Sequence, residues 1–284
     1  MATKLRYNLA VAQTRRPKLG QHFLISDSYR RRIIEALRLH TDDLVIEIGP
    51  GRGAMTALLA ARARQVVAIE LDPSLAEELK RQVKQKNVEI LTGDILTTDL
   101  AALCRAHQAE KCFVFGNLPY YITSPILHRL FAFWSSIRAM ALLVQREVAE
   151  RLAATPGTRA YGYLSVLTHL NSQPRIVLGV PPGAFVPPPK VQSALVSFPM
   201  RSTLPEWLQA PALLSASTAE GEAEFLGFVK RCFAQKRKNL LNNLAGTYTR
   251  ERAGRALAAL NLPLTIRAEQ LTLEQFGGLF HRLG

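Results

Sequence analysis

The segment Leu44-Val45-Ile46-Glu47-Ile48-Gly49-Pro50-Gly51-Arg52-Gly53 runs an apolar strand directly into a turn built on three glycines, with helix-forming residues resuming near Ala54. A short apolar run of this kind is a strand covered on both faces. The glycines let the chain turn tightly and bring backbone N–H groups at a helix start close to a ligand. Few folds accept that junction. Further apolar runs at Val66–Leu71, Val88–Leu91, Cys112–Phe115, Ala139–Gln145, Arg175–Val180 and Ala194–Phe198 alternate with helical periodicity. The alternation predicts an α/β fold, a Rossmann-like parallel sheet with helices on both faces. Asp72 and Pro73 are an N-cap and first helical position for a helix through Gln85, and Ser124 with Pro125 repeats that signal before Ile126–Trp134.

After Pro199 the pattern changes. Arg201–Ala223 is rich in Ser, Thr, Ala and Pro, and the remainder reads as helices at Glu222–Ala234, Lys236–Ala245, Thr249–Leu260 and Leu273–Arg282. The expectation is a sheet domain over 1–204 and a small helical domain over 205–284.

Lys and Arg total 36 against 22 Asp and Glu, a net charge of +14. A surface so biased attracts polyanions and releases their counterions, which points to a nucleic-acid partner. Lys4, Arg6, Arg15, Arg16 and Lys18 precede the first acid, Asp27, and read as a basic arm rather than a cleaved leader. The longest apolar stretch, Met140–Val144, is far below the roughly 20 residues a membrane span needs. The cysteines are 3 in number and widely spaced, and the 6 histidines show no ligand spacing, so reduced thiols, a cytoplasmic location and no metal site are expected.

The glycine turn differs from a dinucleotide fingerprint, because Pro50 sits where an amide would meet a pyrophosphate. S-adenosylmethionine has no pyrophosphate. It needs room against the turn at Gly49 and Gly51, an acceptor for its ribose hydroxyls and one for its adenine amino group. Glu70 at the second strand end and Asp94 at the third supply these, and successive strand ends form the ligand crevice of such sheets.

The fourth strand ends at Phe115-Gly116-Asn117-Leu118-Pro119-Tyr120. Adenine N6 is a poor nucleophile because its lone pair is delocalised into the ring. A site that methylates it must orient the amine and accept its hydrogen bonds. The Asn117 amide oxygen and the Leu118 carbonyl, stiffened by Pro119, are two such acceptors, and Tyr120 offers a stacking face. No ionised base is needed, so positioning carries the chemistry.

Taken with Lys18–Leu24, Ile69–Asp72, Gly93-Asp94, Gln145–Ala149 and Phe185-Val186-Pro187-Pro188-Pro189-Lys190-Val191, these motifs give a chain that resembles the ribosomal RNA adenine dimethyltransferases, in particular their bacterial small-subunit branch. The resemblance implies a class I methyltransferase sheet in which Gln21, His22 and Leu24 join Gly49, Gly51, Glu70, Asp94 and Asn117 around S-adenosylmethionine. Many relatives have Asn where this chain has His22. Phe185 is implied as the second face of an aromatic clamp with Tyr120, and Lys190 as a phosphate contact. The Cys232–Asn239 segment resembles the small-subunit enzymes' C-terminal domain. The implied reaction is dimethylation of N6 on two adjacent adenosines in the 3′-terminal hairpin loop of small-subunit (16S) rRNA, within an assembling small subunit, by a monomer. The alternatives are large-subunit rRNA as substrate, or a non-catalytic assembly or transcription factor on the same fold.

Overall fold

The computed structural model describes residues 22–208 and 218–284. The basic arm, and with it Lys18 and Gln21, lies outside the described residues. Chain order begins with β1 (Phe23–Leu24) and α1 (Asp27–Leu37). Four strand–helix units follow: β2 (Leu44–Ile48) with α2 (Thr56–Ala60), β3 (Gln65–Glu70) with α3 (Pro73–Gln82), β4 (Val88–Thr92) with α4 (Leu100–Ala106), and β5 (Cys112–Asn117) with α5 (Thr123–Ala132). Then come β6 (Ile137–Gln145), α6 (Arg146–Leu152), α7 (Tyr163–Asn171), β7 (Arg175–Val180), β8 (Phe185–Val186) and β9 (Ser193–Pro199). The helices α8 (Thr218–Cys232), α9 (Leu240–Leu244), α10 (Arg250–Ala258) and α11 (Leu273–Leu283) close the chain.

The main sheet runs β4-β3-β2-β5-β6-β9-β7, with β2 through β6 parallel. The sheet is mixed at one edge, where β9 runs antiparallel to both β6 and β7. A parallel neighbour needs a crossover helix. Between β7 and β9 the chain offers only the turn at Pro182–Ala184, the short β8 and a proline run.

Local boundaries follow from specific residues. Gly49, Gly51 and Gly53 have φ of 63°, 57° and 75°, a left-handed region closed to most side chains. They hold the chain in a turn, so α2 starts at Thr56 rather than near Ala54. Asp72 caps α3 as expected, accepting from Ser74 N at 2.8 Å, but the helix stops at Gln82 instead of Gln85. Ser124 is not an N-cap. The chain enters α5 from the turn Tyr120–Ile122, and Thr123 Oγ1 donates to the Pro119 carbonyl at 3.2 Å. Asn239, whose side chain accepts from Asn242 N, starts α9 later than Lys236.

Two apolar clusters flank the sheet. A third is built from α8–α11 with Phe225, Phe228, Leu257 and Phe276, and it includes Tyr161, Val166 and Leu170. Helix α7 belongs to two of these, since Leu167 packs with the sheet while Val166 and Leu170 pack with the C-terminal helices. Among the described residues no helix is long and apolar enough to cross a membrane.

Candidate active site

A cleft of about 480 Å³ opens over the C-terminal ends of β2 and β5. That size suits a cofactor-sized ligand. Its walls are the glycine turn (Gly49 to Met55), the end of β5 (Asn117, Leu118, Pro119, Tyr120) and β1 with its neighbours (His22, Phe23, Leu24). Thus His22, Leu24, Gly49, Gly51, Asn117, Leu118, Pro119 and Tyr120, all expected at a site, surround one space.

On the β2 side the turn is held by an acid. Glu70 is buried, and its two carboxylate oxygens accept from Gly51 N and Asp72 N, each at 3.0 Å. It stands behind the turn rather than in the cleft wall. A carboxylate oxygen can accept more than one hydrogen bond, so these contacts orient Glu70 without exhausting it. Gly51 is required for a second reason: a Cβ there would sit 2.9 Å from Phe23 Cε1. Asp94, half-buried at the end of β4, accepts from Leu96 N at 2.9 Å and does not line the cleft.

Glu47 was not expected to have a role, yet it lines the cleft while being 2% exposed. Burial pushes its carboxyl up to about 7; nearby Thr56 slightly favours the ionised form and Glu70 disfavours it. Glu47 Oε2 and Thr56 Oγ1 are both buried without a partner among the described residues. The sequence signal was present: an acid in the middle of an apolar run. Arg30, Arg52 and Phe23 also reach the cleft.

On the β5 side the polar groups are already partnered. Asn117 Nδ2 donates to the His22 carbonyl at 2.9 Å. A carbonyl can only accept, so the amide is turned with its nitrogen toward His22 and its oxygen left for another donor. His22 Nδ1 in turn donates to the Pro187 carbonyl at 2.7 Å. Leu118 is pinned by its N–H to the Leu143 carbonyl at 3.1 Å. Gly116 makes the bend possible, since a Cβ would come within 2.9 Å of Leu118 Cδ2 and 3.2 Å of Ile48 Cβ. The Tyr120 hydroxyl shares a 2.9 Å hydrogen bond with Ser193 Oγ, and partial burial raises its pKa.

The expected clamp is corrected. Phe185 is 2% exposed and belongs to the apolar cluster with Leu24, Val180 and Ala184. Its backbone is paired with Leu24 across the β1–β8 ribbon, and the ring serves as core. The ring beside Tyr120 is His22, with centroids 5.4 Å apart and planes tilted by 32°.

The profile of a family described as ribosomal RNA adenine dimethylase matches residues 12–283. A ribosomal RNA small subunit methyltransferase A of Acidobacterium capsulatum is 43% identical over 99% of this chain and 95% of its own length. One from Koribacter versatilis is 40% identical over 95% of this chain and 94% of its own. Among solved structures, the 23S rRNA methyltransferase ErmE superposes with a TM-score of 0.69 and 29% identity, covering 92% of this chain and 99% of its own. A dimethyladenosine transferase from Plasmodium falciparum gives a TM-score of 0.72 at 24% identity over 91% of this chain and 96% of its own. That last likeness concerns the fold.

Proposed function

The chain belongs to the ribosomal RNA adenine dimethylase family and is an rRNA methyltransferase, and from that membership we propose how its cleft works and on what. S-adenosylmethionine supplies an electrophilic methyl group on a sulfonium. Gly49 and Gly51 in the glycine turn would hold its methionine end, and Glu70, whose carboxylate is oriented by Gly51 N and Asp72 N, would accept from its ribose hydroxyls. Asp94 at the next strand end would accept from its adenine amino group. His22 and Leu24 would border the donor on the β1 side of the cleft.

The observation that carries the proposal is the 2.9 Å bond from Asn117 Nδ2 to the His22 carbonyl. It fixes the Asn117 oxygen as an acceptor for the target amine, on the β5 wall and opposite the glycine turn. The Leu118 carbonyl, immobilised between the Leu143 contact and Pro119, is the second acceptor. Together they draw the amine's hydrogens and concentrate its lone pair toward the methyl group. The proton leaves to water after transfer, so orientation rather than a base provides the acceleration. Tyr120, fixed by Ser193, stacks on the extruded base.

The substrate proposed is N6 of two adjacent adenosines in the 3′-terminal hairpin of small-subunit rRNA. It rests on the names of relatives that match nearly the whole chain. Exposed Arg31, Arg32, Lys190, Lys236, Arg237 and Lys238 suit an RNA backbone, with residues 205–284 as a helical domain that assists binding. A monomer acting in the cytoplasm on an assembling small subunit completes the reading. Methylation of both ribosomal RNAs in vitro, followed by mapping of modified adenosines by mass spectrometry, tests it. Product on adjacent adenosines of the small-subunit hairpin is expected; product confined to large-subunit RNA would overturn the substrate assignment.

A further inference from the structure

Away from the catalytic cleft, the sheet with its flanking helices meets the C-terminal helices without filling the space between them. Leu226 on α8 packs against both apolar clusters, the one that includes β5 and β6 and the one among the C-terminal helices. Beside it lies a cavity of about 430 Å³, walled by Phe131 in α5, Trp134 just beyond that helix, Leu167 in α7, and Glu222 and Leu226 in α8. That volume is in the range of small-molecule sites. His128, Ala132 and Ser135 also line it and are exposed, so solvent reaches the space. It shares no lining residue with the catalytic cleft.

The walls are mainly apolar and aromatic, and the acid among them is Glu222. Burial pushes its carboxyl above the ordinary range, and a 2.9 Å hydrogen bond from Asn171 Nδ2 to Oε1 draws it partly back. Asn171 is itself buried on α7, so the carboxylate is anchored across the junction. No cation offsets it. Lys230, further along α8, bears on His128 instead, and burial together with Lys230 disfavours the charged form of that imidazole. The His128 ring is stacked on Tyr163, with centroids 5.6 Å apart and planes inclined by 26°. Tyr163 is pushed up by its own burial and by Glu222, which places the acid beside this ring pair. In a chain of net charge +14 the sign here is locally reversed, since Glu220, Glu222 and Glu224 crowd the first half of α8. Such a surface turns phosphates away.

A partly buried carboxylate without a counter-ion, sharing its space with an indole and a phenyl ring, selects a ligand by sign and by shape. An anion meets repulsion, and a neutral apolar body leaves the acid desolvated and unpaired. An ammonium satisfies the acid and gains from the aromatic faces. We propose that this cavity is a second ligand site, taking a small organic cation with its ammonium against Glu222 and its apolar body against Phe131, Trp134 and Leu226. Such a ligand touches elements on both sides of the junction and braces them. Because the site exists only when α5, α7 and α8 are packed together, binding also stabilises the fold.

Three probes of similar shape and different charge test the site on the full-length protein: 2-phenylethylammonium, 2-phenylethanol and 3-phenylpropionate. Isothermal titration calorimetry measures their affinities, and tryptophan fluorescence reports locally because Trp134 stands in the wall. The ammonium should bind about tenfold tighter than the alcohol or more, as expected of one charge-assisted contact, and should raise the melting temperature. The carboxylate should not bind. In Glu222→Gln the ammonium should fall to the affinity of the alcohol, which itself stays unchanged. If the Gln variant fails to fold, Ala223→Leu, at an exposed position in the wall, narrows the cavity and should weaken ammonium and alcohol alike. S-adenosylmethionine should not displace the probe, since the catalytic cleft is a separate space. The inference is overturned if no probe binds, if ammonium and alcohol bind equally, or if the ammonium preference survives Glu222→Gln. Binding unchanged by Ala223→Leu, or displacement by S-adenosylmethionine, would place the probe elsewhere and overturn it as well.

Discussion

At the end of β2 the chain buries Glu47 without a hydrogen-bond partner for Oε2, beneath a glycine turn and beside Glu70; at the end of β5 it sets a neutral amide and a phenol whose contacts lie within the protein. The first wall carries an electrostatic debt that a ligand can settle. The second is preorganised, its acceptors aimed before any ligand arrives. The two walls differ in kind, one holding a buried acid and the other polar groups whose partners the protein itself supplies.

The largest expected effect tests the preorganised wall. Asn117→Ala should lower single-turnover methyl transfer about 10²–10³-fold, the usual cost of removing one preorganised polar group, while donor affinity changes by less than about tenfold. Equal losses in transfer and donor binding would erase the distinction between the walls.

The charged wall predicts a gain in stability. The folded value for Glu47, about 7, is raised above the ordinary 4.5. Its contribution is therefore fully present below about 4.5 and is lost as pH rises through about 7. Glu47→Gln should remove that loss and make the ligand-free protein more stable at pH 8 by up to about 3 kcal/mol. Thermal denaturation of both proteins from pH 5 to 8 checks it; a difference that does not grow with pH would mean Glu47 is already compensated.

Tyr120→Ala should raise the RNA KM about 10–100-fold, the worth of one base-on-aromatic contact, with little change in donor binding measured by calorimetry. The smallest effect belongs to Tyr120→Phe. It removes only the hydrogen bond to Ser193 and should cost about 1 kcal/mol or less of stability while RNA affinity is retained.

Much of this was legible in the sequence. The apolar runs mark β2 to β7 and β9 to within a few residues, because buried strands leave little choice of residue. Asp72 marks the start of α3 because its side chain satisfies local N–H groups. Asn117 to Tyr120 could be placed at a site because parallel strands end on the same edge of the sheet, where ligands of such folds bind. Other features were hidden. Helices α6 and α7 carry no strong capping or periodic signal, and α7 is buried on most sides. The antiparallel β9 depends on the lack of a crossover rather than on its own residues. Phe185 has the same letters in a clamp as in a core.

The sequence alone determined the alternating sheet, the glycine turn, the β5 motif and the polyanion-seeking charge, since each follows from local patterns of size, polarity and backbone freedom. Only the tertiary structure decided which side chains share the cleft. It placed Glu70 behind the turn, sank Phe185 into the core, brought His22 across to orient Asn117 and left Glu47 facing the cleft. The physical reason is that burial and hydrogen-bond partnership are set by residues far apart in the chain. The state of the β2 acid, which separates the two walls, is a property of that packing.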